Sequence, residues 1–175
     1  VSPYRPMSRL YRNEIYLEIE AVPEFEHCAA VNAEAAGSGF ASELRRLRAS
    51  TVVDYEAVSS LKRTFLKGFH RSFQQRHGEA KTERGRAYRD YLEREGAALR
   101  DFATFMVLDE RFASGEVERL SWRDWTDGLN DSRSAQVQKF RAEHAEEVDF
   151  HRYVQFELDR QLASLAQTAK KCGME

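Results

Sequence analysis

All the prolines of this chain, Pro3, Pro6 and Pro23, fall near its beginning, and none follows. Proline removes a backbone donor and clashes inside a helix. A long proline-free run with apolar residues at three- and four-residue steps is therefore free to build helices. The opening residues read differently, because "EIYLEIE" alternates Ile15, Leu17 and Ile19 with polar positions, as a short extended segment does. The division predicts an all-α, bundle-like helical subdomain over 26–175, preceded by an irregular or extended segment over 1–25.

Within the helical part, residues 26–50 suggest two short helices broken at "AGSG", where Gly37 and Gly39 permit a turn. The clearest helix follows. Val58, Leu61, Phe65, Phe69 and Phe73 form one apolar stripe, with Asp54 as its N-cap and Gly78 as its stop. Tyr88, Tyr91 and Leu92 mark a further helix, and Leu99, Phe102, Phe105, Met106 and Phe112 another, so that the run reads as consecutive antiparallel helices. In "SWRDW", Ser121 and Asp124 have capping-box spacing, and Trp122 and Trp125 are candidates to plug one end of the bundle. The last helix spans 135–172 with an interruption near His144; it carries Val137, Phe140, Val148, Tyr153, Phe156, Leu162, Leu165 and Ala169, and Gly173 stands where a left-handed cap belongs.

At 175 residues the chain is long enough for one domain with a real core. Its 27 Lys and Arg against 29 Asp and Glu leave a net charge of −2, which gives nucleic acid or an acidic membrane surface nothing to attract it. No run of apolar residues is long enough to span a bilayer, and no basic start followed by an apolar stretch announces a signal peptide. Cys28 and Cys172 lie far apart without CxxC spacing and read as reduced thiols of a cytoplasmic protein.

Glu24 and His27 have E-x-x-H spacing, and His144, Glu147 and His151 share one helix face, so a di-iron bundle is the first chemistry to test. It needs two such motifs on separate helices and two further carboxylates, and only one E-x-x-H is present, so no metal site is expected. Neither cysteine has a basic or glycine-rich setting, and no G-x-S-x-G or phosphate loop occurs. The basic stretch "KRTFLKGFHRSFQQRH" puts its aromatics on one face and its charges on the other, which an amphipathic helix explains without RNA. The helices thus carry no self-contained site.

The opening stretch is more informative. "SPYRPMSRLYRNEIYLEIEAVPEF" resembles the segment after the second barrel strand in the amylomaltase family, the bacterial 4-α-glucanotransferases or disproportionating enzymes. Ser2, Pro3, Tyr4, Ser8, Arg9, Asn13, Tyr16, Glu20, Pro23, Glu24 and Phe25 match that pattern. In the same order along the chain, "VDYEAVSSLK", "WRDW" and "VDFHRYVQFELDRQL" resemble later family motifs, so the likeness spans the whole sequence. Glu18 stands where aspartate is usual, and Thr126 where proline is common.

The resemblance implies a helical insertion between the second and third strands of a (β/α)8 barrel, with the chain a piece of that larger enzyme. The parent would transfer α-1,4-glucan segments between malto-oligosaccharides by a retaining double displacement using two Asp and one Glu, all beyond Glu175. No catalytic residue is assigned in this chain and no cofactor is implied; the partners are a malto-oligosaccharide and the remainder of the barrel. Ser2 and Tyr4 are the expected substrate-binding residues: a tyrosine ring stacks on an apolar sugar face, and both hydroxyls reach sugar oxygens. Asn13 and Tyr16 are expected to be structural, and Gln155 and Gln161 to bond backbone rather than glucan. Parted from its barrel, the helical piece is expected to self-associate. The alternative is a free-standing helical interaction module without enzymatic activity.

Overall fold

The computed structural model describes residues 8–28, 33, 37–113 and 121–174. Among them there are five α-helices and no strand, which is the all-α class expected from the sequence. The helices are α1 (Ser38–Ala49), α2 (Tyr55–Phe73), α3 (Glu83–Ala113), α4 (Ala135–Glu143) and α5 (Ala145–Lys171). Contacts divide the chain into two compact units, the first formed by Val1–Tyr88 and Val154–Glu175 and the second by Arg89–Tyr153.

In the first unit α2 forms where its apolar stripe predicts. Asp54 caps it by accepting from Ala57 N at 3.0 Å. Phe65, Leu66, Phe69 and Phe73 are buried, and α2 then widens into one π-helical turn over Gln74–Gly78. Phe73 meets Tyr88 edge to face at 5.1 Å, and Tyr88 meets Phe156 at 5.3 Å, so rings from α2, α3 and α5 form one aromatic core. Phe40 of α1 packs edge to face on Phe65 at 4.9 Å. Cys28 is buried with its thiol toward Gly68 O, while Cys172 is exposed; both are free. At the end of α5, Gly173 takes φ 76° and passes its N–H to Lys170 O while Met174 N reaches Ala169 O, the paired bonds of a Schellman cap.

In the second unit α3 breaks at Gly96, whose φ of 57° and ψ of −132° lie outside the helical region. The sequence places a boundary between two helices there, and only glycine adopts that backbone without strain. Beyond the break the buried stripe is Leu99, Ala103, Val107 and Leu108; Phe102, Phe105 and Met106 are only half-buried. The small residues hold the centre because Ala103 and Val107 pack on Val148, and the larger rings flank that contact. Trp125 is buried between Phe105 and Phe112, stacked on both at 5.5 and 4.9 Å. Trp122, the other expected plug, is instead 44% exposed, because Ser121 caps a 3-10 turn over Trp122–Asp124 that turns it outward. The interruption expected near His144 is present between α4 and α5. Among the described residues no helix is long and apolar enough to cross a membrane.

Candidate functional site

The two residues the sequence singles out for substrate, Ser2 and Tyr4, lie outside the described residues. What the structure describes is the stretch that follows them, residues 8–28, which crosses the first unit as a strap. The expected extended run is a 3-10 turn at Glu14–Tyr16 flanked by irregular backbone. Asn13 starts the turn by accepting from Ile15 N at 2.9 Å, the structural role expected of it, whereas Tyr16 is 60% exposed and anchors nothing in the core. The alternation fails as a strand because no neighbouring strand edge pairs with it among the described residues. Backbone groups still need partners, and side chains supply them.

Those side chains come from α2 and α5, and α3 adds Arg84 against a strap carboxylate. Lys62 Nζ donates to Ile15 O and Leu17 O, both at 2.7 Å; its burial there lowers its pKa, against the pull of Glu20 and Glu14. Ser59 Oγ and Arg63 Nε both donate to the buried Glu14 carboxylate. Gln155 and Gln161 each form two bonds to strap backbone, at Arg12 and Glu18, the backbone partners expected of them. Glu18 meets Gln161 only through its backbone, so its departure from aspartate does not touch that contact.

Further along, Arg160 donates to Ala21 O at 2.6 Å. Glu24 of the "VPEF" motif is 2% exposed and receives the Arg84 guanidinium on both oxygens; Arg84 also binds Glu157, which is fully buried and paired with Arg160 at 3.0 Å. The same guanidinium lies against the Phe73 and Phe156 rings, 5.2 and 5.6 Å from their centroids. Burial pushes the Glu157 carboxyl above the usual range, outweighing the downward pull of Arg84 and Arg160.

Beside this cluster is a cleft of about 400 Å³, lined among others by Glu20, Glu26, His27, Arg76 and His77. His77 lies in the π-helical turn with Nδ1 3.0 Å from Thr82 Oγ1, and burial lowers its pKa below the usual imidazole range. Glu24 and His27, the E-x-x-H pair, both line this cleft, with the Glu24 carboxylate engaged by Arg84. In the second unit His144 faces Glu147 at 3.3 Å and His151 faces Glu110 at 3.1 Å. Among the described residues no three His, Cys, Asp or Glu converge as a metal centre would need. The Arg84–Glu157 contact was not legible in the sequence, where Glu157 falls within the "VDFHRYVQFELDRQL" match and nothing pairs it with Arg84.

The sequence profile of the 4-alpha-glucanotransferase family matches residues 1–175. A 4-alpha-glucanotransferase of Mycobacterium tuberculosis is 34% identical over 99% of this chain, which spans 22% of that protein. The Haemophilus influenzae protein of the same name is 28% identical over 99% of the chain and 25% of its own length. The one from Thermus thermophilus is 30% identical over 70% of the chain and 23% of its own length. The chain thus spans about a quarter or less of these relatives.

Proposed function

The chain belongs to the 4-alpha-glucanotransferase family, and from that premise we propose that it is the glucan-contacting helical part of a cytoplasmic enzyme that moves α-1,4-glucan segments between malto-oligosaccharides. The parent works by a retaining double displacement in which one carboxylate forms a glucosyl-enzyme and another serves as acid and base. Those carboxylates belong to the parent barrel. The acidic residues buried in the strap cluster, Glu14, Glu24 and Glu157, face arginines and hold structure. The work of this stretch is to shape the glucan cleft, with Ser2 and Tyr4 as the residues that touch sugar and no cofactor taking part.

The observation that carries this reading is the family match over the full chain, joined to the strap that continues directly from the S-P-Y motif. The test uses the whole enzyme with maltotriose. If Tyr4 stacks on a glucosyl ring, Tyr4→Ala costs about 1–3 kcal/mol in kcat/KM, Tyr4→Phe less, and Ser2→Ala falls at the low end with thermal unfolding nearly unchanged. A Tyr4→Ala enzyme that melts earlier but keeps wild-type kcat/KM in its folded fraction removes both residues from the site.

A further inference from the structure

The strap meets α5 at two points with one geometry. Gln155 accepts from Arg12 N at 3.1 Å and donates to Arg12 O at 2.8 Å. Gln161 accepts from Glu18 N at 2.9 Å and donates to Glu18 O at 2.8 Å. Each pair is separated by 143 residues, so strap and helix advance together, six residues for six. A primary amide that accepts from and donates to one residue reproduces the double bond pair of an antiparallel neighbour. A carboxylate, an ammonium or an aliphatic side chain cannot do both.

The other pins act differently. Lys62 and Arg160 donate to strap carbonyls and Arg63 and Arg84 to strap carboxylates, so these four engage acceptors alone, while Leu17 and Val22 hold the strap by burial, which has no direction. Among the described contacts only the amide pairs engage both the N–H and the C=O of one strap residue. A slip by one residue would strand the Gln155 amide, which is 5% exposed, without partners. The amides therefore set register where the remaining contacts set attachment.

We propose that Gln155 and Gln161 are positioning residues for glucan transfer. By fixing the register of the strap on α5, they set where its N-terminal continuation, with Tyr4 eight residues before Arg12, meets the sugar. The inference rests on the function proposed above.

The test is made in the whole enzyme with maltotriose, using Gln155→Leu, Gln161→Leu and Gln161→Glu beside Ser134→Ala. Ser134→Ala removes the N-cap of α4 and serves as a control for lost stability alone. Each Leu variant is expected to raise KM about tenfold with kcat within about twofold, and to speed hydrogen exchange at the amide its glutamine binds, Arg12 or Glu18. Gln161→Glu keeps the acceptor and loses the donor, so it falls between wild type and Gln161→Leu. Ser134→Ala lowers the melting temperature and leaves KM alone. Gln161 is only half-buried, so its variants carry the test even if Gln155→Leu does not fold. Faster exchange with unchanged KM overturns the proposal, as does unchanged exchange. A wild-type enzyme that transfers no glucosyl units sinks the proposed function instead, which keeps the two failures apart.

Discussion

The strap of the first unit and the tryptophan plug of the second solve the same problem by different means. Each must fasten irregular backbone to helices. In the strap the fastening is polar: Lys62, Gln155, Arg160 and Gln161 bind its backbone directly, and Arg84 joins two buried carboxylates beside it. Around Trp125 it is apolar, with Leu108 and Val137 beneath the ring and Phe105 and Phe112 stacked against it. Polar fastening specifies which residue lies opposite which, because hydrogen bonds have direction; apolar packing specifies volume. The role proposed for the strap, to present substrate-contacting residues at a defined place, calls for the first kind.

The largest effects come from cutting each fastening at its centre. Arg84→Met leaves Glu24 and Glu157 buried without their shared cation, a loss of about 3–5 kcal/mol. Trp125→Ala opens a cavity of comparable cost, about 3–5 kcal/mol. The two are separable because both tryptophans, Trp122 and Trp125, belong to the second unit. In Arg84→Met the helical circular dichroism should begin to fall before tryptophan fluorescence changes. Coincident transitions would mean that the two regions unfold as one and would break the contrast.

A smaller effect is expected at Gly96. No atom lies within 4 Å of a Cβ built there, so Gly96→Ala meets only the strain of a positive φ, about 1–3 kcal/mol. A neutral result in chemical denaturation would mean that the break in α3 moves to accommodate the side chain.

The smallest effect is in pH dependence, where two glutamates act in opposite directions. Glu157 is raised in the fold by burial, so its contribution is complete below the ordinary carboxylate range and is lost as pH rises through its folded value. Glu147 is lowered by its own backbone N–H and by His144, so its contribution is present above that range and is lost as pH falls through its folded value. Denaturation followed from about pH 7 down to about pH 2 should therefore show Glu157→Gln losing a gain on acidification above the ordinary carboxylate range, and Glu147→Gln losing a loss below it. The same slope in both variants would contradict the assignment of one as buried and the other as stabilised.

The comparison also explains what the sequence made legible. The stripe and Asp54 cap of α2, the interruption at His144 and the Gly173 cap are local, fixed by residues within a turn or two, and each is found where expected. Gln155 and Gln161 match the family pattern, but it was their place on a buried-looking helix that suggested backbone partners, without naming them. The Arg84 cluster joins residues 60 and 73 positions apart, and periodicity has no access to such pairs. The strap misled for a related reason: alternation in "EIYLEIE" signals a strand only where another strand is available, and here side chains took its place. Of the two tryptophans, spacing alone could not tell the buried from the exposed one, since a 3-10 turn between them sets their directions.

The central claim is that this stretch holds and presents glucan contacts while the reacting carboxylates belong to the rest of the enzyme. The most direct measurement incubates the 175-residue chain with maltotriose beside the whole enzyme and follows glucose and longer oligomers. The account predicts transfer by the whole enzyme and none above a blank by the chain; transfer by the chain itself would contradict it.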